Sequence, residues 1–153
     1  MSENYIDKEI TKIINDNKDQ ELAASLSAAW ILAHFKGVDL KIFHTKNTNP
    51  LAEYFVIGSV QNSVQAQSAA RALEKVFKGK FQVKSLEGFD KAEWILLDTG
   101  DVVVHIFQES MREIYDLDNI WKEYEQVKIP NEYYHSEPFV EPTSTTDDLK
   151  NYF

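Results

Sequence analysis

The sequence of 153 residues contains no cysteine. A disulfide framework, a thiolate zinc site and a cysteine nucleophile are therefore excluded, and the composition is compatible with a reducing compartment. Basic residues are also scarce, because 16 Lys and Arg stand against 25 Asp and Glu, for a net charge of −9. This balance provides no basic field for general binding to a nucleic-acid backbone, no Lys/Arg cluster stands out, and basic proteins are favoured as partners.

Long apolar runs are absent as well. The longest apolar stretch, around residues 28–35, is too short to span a bilayer. The N-terminus carries an acid where a secretory signal would need basic residues followed by an apolar run. We therefore expect a cytoplasmic protein with no membrane segment.

Hydrophobic periodicity predicts alternating helices and strands. Helices are predicted within residues 1–19, 20–36, from a cap at Asn62 or Ser63 to about Gly79, and over 109–115. Strands are predicted over residues 38–44, 54–59, 81–86, 94–98 and 101–107. The apolar run 54–59 indicates a central strand covered on both faces, whereas residues 38–44 alternate like a half-buried strand with Phe43 on the polar side. This order predicts an α/β fold with a mixed sheet of about five strands flanked by helices.

The composition divides the chain into three units. Residues 1–36 form an N-terminal helical segment, residues 37–128 form the α/β domain, and residues 129–153 form an acidic tail. Three of the four prolines lie in that tail, which has no sustained periodicity. An extended or disordered tail is the expectation.

Motifs of catalysis are missing. The sequence contains no Walker motif, Rossmann glycine fingerprint or nucleophile elbow. The four histidines share no local spacing that would indicate a metal site: His34, His44, His105 and His135. We expect no catalytic residue, no metal and no cofactor.

The pair Gly58-Ser59 follows an apolar strand and precedes a helix, which is where nucleotidyltransferases hold a triphosphate. That chemistry also needs closely spaced carboxylates to bind divalent metal. Here no acidic residue follows Ser59 until Glu74, so the carboxylates that would bind the metal are missing. Gly58 is better explained by close backbone approach at a strand end.

Asp98 and Asp101 flank Thr99-Gly100 at the predicted hairpin tip. Two carboxylates at this spacing could act as acid and base. Asp is also a preferred turn residue that bonds its own backbone, and this second interpretation is favoured.

Large aromatic side chains and one arginine bracket this hairpin and the helix after it: Trp94, Arg112, Tyr115 and Trp121. Trp, Tyr and Arg dominate the binding energy of protein interfaces. Packing against the sheet is the alternative, and for Trp121 the two interpretations are equally supported.

From residue 87 onward a distinctive set of residues stands in a fixed order: Glu87-Gly88, the segments 94–98 and 100–107, Arg112, Tyr115, Leu117 and Trp121. This ordered set resembles the RsfS/Iojap family, the ribosomal silencing factors. Residues 51–57 and Ser63, Gln65 and Ala66 resemble the family's upstream strand and helix start, so the resemblance covers about 38–121.

The resemblance implies a nucleotidyltransferase-like fold without catalytic carboxylates. It implies a translation repressor that binds a ribosomal protein of the uL-fourteen family on the large subunit, blocks small-subunit joining when nutrients are scarce, and commonly forms a homodimer. No enzyme activity and no sequence-specific nucleic acid are implied. The family-pattern positions are Trp94, Asp98, Asp101, His105, Arg112, Tyr115, Leu117 and Trp121.

Of these, we assign the partner surface to Trp94, Tyr115 and Leu117, with Trp121 beside them and with Arg112 and nearby acids steering the partner. Asp101 and His105 lie in or beside the hairpin, where a role in maintaining the fold is the alternative. Two other functions stay open: a nucleotide-dependent enzyme of the nucleotidyltransferase fold, and an adaptor of the same fold with a different protein partner.

Overall fold

Helices and strands alternate along the chain, and their bounds are known from a computed structural model that describes residues 2–135. The elements are α1 (Ser2–Asp16), α2 (Gln20–His34), β1 (Val38–His44), β2 (Tyr54–Val60), α3 (Ser63–Lys80), β3 (Ser85–Glu87), β4 (Trp94–Asp98), β5 (Val102–Gln108), α4 (Glu109–Tyr115), α5 (Leu117–Ile120), β6 (Glu125–Gln126) and a closing 3-10 helix (Asn131–His135).

The strands form one mixed sheet in the order β3-β4-β5-β2-β1-β6. The central pair β2 and β5 is parallel, and every other neighbouring pair is antiparallel. The predicted α/β class is confirmed, but the sheet has six strands rather than about five. The additional strand, β6, is two polar residues long, and so short a segment carries no periodicity.

The strand predicted over residues 81–86 is largely wrong. Only Ser85–Glu87 pairs with β4, whereas Phe81 continues from α3 and packs its ring 4.8 Å from that of Phe77. The apolar residues at 81 and 83 therefore serve the packing of a loop against α3, and not the face of a strand.

Side chains at the N-termini of α2 and α3 cap these helices. Asp19 accepts hydrogen bonds from the backbone N–H groups of Glu21 and Leu22, and Asn62 accepts one from Gln65. Each cap satisfies donors that the first turn leaves unpaired. The cap of α3 was predicted at Asn62 or Ser63, and the structure selects Asn62.

Helices α1, α2 and α3 cover one side of the sheet, which we call the helix face. Their apolar side chains form the larger core with residues from the strands, including Ile10, Ile31, Leu73, Val56 and Val104. Helix α2 is buried nearly all round because α1 packs on its far side.

The opposite side, which we call the second face, carries a smaller core covered by α4, α5 and the residues after α5. This core contains Phe43, Phe55, Ile57, Phe107 and Trp121. Strand β2 is accordingly buried along its whole length, as predicted. Phe43, expected on the polar side of β1, is 1% exposed because Trp121 packs against it.

The predicted division of the chain at residues 36 and 128 stays a prediction. Residues from both flanking units pack into the core of the helix face, among them Ile6 and Ile13 in α1 and Tyr133 in the 3-10 helix. Most of the predicted tail, residues 136–153, lies outside the described residues.

Candidate partner-binding surface

The second face gathers the aromatic residues singled out in the sequence. Alternation along β4 and β5 turns Trp94, His105 and Phe107 to the same side of the sheet, where α4 follows directly after β5. The Trp94 ring lies 4.9 Å from Phe107 and 4.6 Å from Tyr115, measured between ring centroids. Trp94 is half-buried and Tyr115 is 45% exposed, so this cluster reaches the surface.

His105 orients the Trp94 ring through a hydrogen bond between the two side chains. The indole Nε1–H of Trp94 donates a hydrogen bond of 3.0 Å to Nδ1 of His105. Because an indole N–H only donates, Nδ1 must accept, and the proton of the neutral ring then lies on Nε2. His105 is 5% exposed, and its burial lowers its pKa to about 4.

Trp121 lies within the second core. Its ring stacks on Phe55 with centroids 4.2 Å apart and planes 4° apart, and only 7% of the residue is exposed. Its centroid lies 5.2 Å from that of His105. Core packing, one of the two interpretations left open for Trp121, therefore describes its contacts in this structure.

Arg112 is buried although it was expected to steer a partner. Its guanidinium donates two hydrogen bonds to the Asp118 carboxylate, at 3.0 and 2.9 Å, and others to the Asp39 carbonyl and the Ser59 hydroxyl, at 2.6 and 2.9 Å. Only 5% of Arg112 is exposed. These contacts tie α4 to α5 and to the ends of β1 and β2.

Asp118 is the acidic centre of this network. Hydrogen bonding from Arg112, assisted by Lys41 at 3.0 Å, lowers the pKa of Asp118 to about 2 in spite of its burial. The carboxylate is therefore charged at neutral pH and holds the guanidinium in place. Nothing in the sequence indicated this residue, because six positions separate Arg112 from Asp118 and a left-handed turn at Asp116 lies between them.

Three of the seven exposed large apolar side chains of the described residues lie on α4 and α5; the other four, Val38, Leu51, Val64 and Tyr134, lie apart from these helices in the sequence. Ile114 is 69% exposed and Ile120 is 66% exposed, in addition to Tyr115, while Leu117 is partly buried against the second core. We call Trp94, Ile114, Tyr115, Leu117 and Ile120 the aromatic–apolar surface. An apolar centre of this kind is typical of protein-binding sites.

The rim of this surface is acidic. The exposed charged residues of α4, α5 and the following turn are Glu109, Glu113, Asp116, Lys122 and Glu123. Since the cation Arg112 is buried and paired with Asp118, the rim presents four acids against one base. The acids, rather than Arg112, are placed to attract a partner, and that partner would be basic.

The hairpin acids make turn contacts. The Asp98 carboxylate accepts a hydrogen bond of 2.9 Å from the backbone N–H of Gly100. The Asp101 carbonyl accepts from the N–H groups of Glu53 and Tyr54, which joins the hairpin tip to the start of β2. These contacts correspond to the turn interpretation of the two residues.

Gly58 and Ser59 have packing roles. A Cβ atom on Gly58 would lie 2.5 Å from Leu40 Cδ2 and 3.1 Å from Leu32 Cδ1, so the close approach predicted there is confirmed. The Ser59 hydroxyl is 4% exposed and bonded to Arg112. Within residues 2–135, no group of three or more His, Asp or Glu could hold a metal ion, and no helix is long and apolar enough to cross a membrane.

Comparisons with known proteins agree on one family. Residues 17–151 match the family model described as ribosomal silencing factor during starvation. A relative named ribosomal silencing factor RsfS, from Bacillus subtilis, is 37% identical over 84 residues, which are 54% of this chain and 71% of the relative.

Two solved structures share the fold. A crystal structure from Bacillus halodurans is 31% identical with a TM-score of 0.61, and the alignment covers 72% of this chain and all of that one. A crystal structure from Chromobacterium violaceum is 27% identical with a TM-score of 0.58, covering 63% of this chain and 83% of the other.

Proposed function

The chain belongs to the ribosomal silencing factor family, and we propose that it represses translation by binding the large ribosomal subunit and sterically blocking the joining of the small subunit. The proposed contact is a ribosomal protein of the uL-fourteen family. The protein acts in this proposal without catalysis, in the cytoplasm, under nutrient limitation.

The observation that carries the proposal is the aromatic–apolar surface on α4 and α5. Trp94 and Tyr115 are in contact with each other and reach solvent, and Ile114 and Ile120 on the same short helices are more than half exposed. Burying such side chains is favourable at about 25 cal/mol per Å² of apolar area. A protein partner is the occupant that an apolar centre with an acidic rim fits best.

The hydrogen-bond network of Arg112 supports the proposal, because it fixes the shape of the aromatic–apolar surface. The hydrogen bonds from Arg112 to Asp118, Ser59 and the Asp39 carbonyl hold α4 and α5 on the sheet. A surface held in one conformation loses less entropy on binding. In this proposal Arg112 and Trp121 position the binding residues, and Trp94, Tyr115 and Leu117 contact the partner.

The test uses co-sedimentation with isolated large subunits, followed by addition of small subunits. We expect the native protein to sediment with large subunits and to reduce the yield of joined ribosomes. A Tyr115→Ala variant should bind at least roughly tenfold more weakly, the size of loss typical of an interface aromatic that anchors binding. Its fold should be retained, because 45% of Tyr115 is already exposed.

Tyr134→Ala is the matched control. Tyr134 is also 45% exposed but lies in the 3-10 helix, which packs against α2 on the helix face. Equal loss of binding by both variants would refute the assignment of the surface. Normal subunit joining at saturating native protein would refute the repressor mechanism. Sedimentation equilibrium of the native protein tests the homodimer that the family resemblance implies.

A further inference from the structure

Positive charge is concentrated in one part of this acidic chain. Between Ser63 and Lys84 there are five Lys or Arg residues and one acid, in a protein whose net charge is −9. Nucleic-acid backbones were excluded from the net charge and because no Lys/Arg cluster was recognised in the sequence, and this local concentration corrects the second point. A local field of opposite sign acts over about a Debye length, about 8 Å at physiological salt, and is not cancelled by distant acids.

Helix α3 places three of these cations on one exposed face. Arg71, Lys75 and Lys78 follow each other at helical spacings of four and three residues, and all three are exposed. The opposite side of α3, including Ala70, Leu73 and Phe77, is buried on the sheet. We call Arg71, Lys75 and Lys78 the basic face of α3.

The neighbours of this face leave its charge positive. Asp7 of α1 approaches Arg71 and Lys75, and Glu74 pairs with Lys78 at 3.4 Å. Lys36 lies at the start of the same region, since its carbonyl accepts a hydrogen bond from Gln65 of α3. Lys80 and Lys84 extend the positive charge beyond its end.

The Arg71 side chain is held in position at the surface. Its guanidinium carbon lies 4.6 Å from the centroid of the Phe89 ring, an arrangement typical of a cation–π contact. Such an arginine loses less freedom when it binds a phosphate, because its side chain is already ordered.

We infer that the basic face of α3 binds the phosphate backbone of RNA. Arg71 and Lys78 are separated by about 10 Å along the helix axis, at about 1.5 Å per residue. A duplex presents one phosphate per strand about every 3.4 Å, so three cations face about three phosphates. Choosing RNA among polyanions rests on the proposed function, whereas the charge argument does not.

Side-chain chemistry favours RNA over an anionic membrane. From Ser68 onward the exposed side chains of α3 are hydroxyl or cationic, namely Ser68, Arg71, Lys75 and Lys78, and a single apolar side chain, Val64, is exposed in its first turn. A helix that lies in a membrane interface needs an apolar face directed at the lipid, and the apolar face of α3 is occupied by the sheet. The basic face also lies across the sheet from the aromatic–apolar surface, so both can be occupied together.

The test measures binding of the full chain to a fluorescent 20-base-pair RNA duplex by anisotropy in 50–200 mM KCl. We expect log affinity to fall with log salt at a slope of about −2.7, a loss of about 40-fold over this range. The double variant Lys75→Glu/Lys78→Glu should bind roughly tenfold or more weakly at low salt and reduce the slope by about 2.

The control double variant Lys18→Glu/Lys122→Glu changes the net charge equally at exposed positions outside α3. It should retain RNA binding, as should Tyr115→Ala, which tests the proposed function separately. Absence of RNA binding by the native chain at 50 mM KCl, or equal loss in both double variants, would overturn the inference. Tighter binding to vesicles of anionic lipid than to RNA would replace it with a membrane surface.

Discussion

His105 is a histidine because its position needs both an aromatic ring and a hydrogen-bond acceptor. Its ring packs among Phe55, Phe107 and Trp121, and its Nδ1 accepts a hydrogen bond from the indole N–H of Trp94. A phenyl ring would fill the space without orienting Trp94. Charging the ring would protonate Nδ1 and break this hydrogen bond, and neither ring N–H would then have an acceptor in the part of the chain that the structure describes.

Acid should destabilise the fold through His105. Because burial lowers the pKa of His105 from 6.5 to about 4, the unfolded chain binds a proton that the folded protein rejects. This contribution to stability is complete above pH 6.5 and is lost as the pH falls toward 4. Between about pH 7 and about pH 4.5, the native protein should lose about 2 kcal/mol more free energy of unfolding than His105→Leu.

Urea denaturation at the two pH values measures this difference. The pKa of His34 is also lowered by burial, and both proteins contain His34, so the comparison isolates His105. An equal change of stability in the native protein and the variant would contradict the assignment.

At the scale of elements, the geometry of the binding surface is set by how α4 joins its neighbours. Helix α4 begins directly after β5, and the chain reverses at Asp116, whose φ of 50° is left-handed, before α5 begins. An acidic residue tolerates this conformation better than most residues other than glycine. The β4–β5 hairpin and α4, which follows β5 without a loop, therefore place Tyr115 next to Trp94, and the turn at Asp116 directs the chain into α5.

Long periodic elements were predictable from the sequence, and short or long-range features were not. The bounds of β1, β4 and α4 were predicted to the residue, because each carries an uninterrupted hydrophobic pattern or lies next to one. Trp94 and Tyr115 were predicted to contact a partner, and this assignment stays a prediction; the structure shows that their rings are in contact and partly exposed. The burial of Arg112 was not, since its acceptors at Asp39 and Ser59 lie 73 and 53 residues away in sequence.

Replacing each of two glycines by alanine should change the free energy of unfolding in opposite directions. Gly88 has a φ of +80°, and an added Cβ would lie 2.1 Å from the carbonyl oxygen of Trp94, a backbone atom. Gly79 lies in the last turn of α3 with nothing within 4 Å of its added Cβ. We expect Gly88→Ala to lower the free energy of unfolding by about 2 kcal/mol or more, and Gly79→Ala to raise it by about 0.5–1 kcal/mol.

Thermal and urea unfolding of the two variants checks this pair. The Gly88 variant should also weaken large-subunit binding, because its strain falls on the backbone of Trp94. Unchanged stability of Gly88→Ala would contradict the left-handed turn before β4.

At the scale of the whole molecule, the sheet separates two functions of the side chains that cover it. The helix face carries the larger core, whereas the second face carries a smaller core and the aromatic–apolar surface. Helix α1 lies before residue 17, where the match to the family model begins, and packs on α2 away from the second face. We therefore expect α1 to stabilise the fold without contacting the proposed partner.

Ile10→Ala tests this separation. Ile10 is fully buried between α1 and the rest of the helix-face core. The substitution should lower the free energy of unfolding by about 2–4 kcal/mol, from lost burial and the cavity left behind. Under conditions where the variant is folded, its affinity for large subunits should be unchanged, as measured by co-sedimentation.

Ile14→Ala is the control, because Ile14 is only partly buried and should cost less stability. A loss of large-subunit binding by folded Ile10→Ala protein would show that α1 takes part in recognition.

The edge strands of the sheet affect how readily the protein could aggregate. The outermost strands β3 and β6 contain three and two residues, whereas the interior strands β1, β2 and β5 contain seven. Beyond the short β6, the border of β1 is kinked by a bulge near Asp39, whose carbonyl is taken by Arg112. Within residues 2–135, neither border offers a long, flat row of free backbone groups to which a strand of another chain could add. Two copies of this chain would accordingly associate through side chains rather than by extending a common sheet. Short edge strands of this kind protect the protein from growing into fibrils.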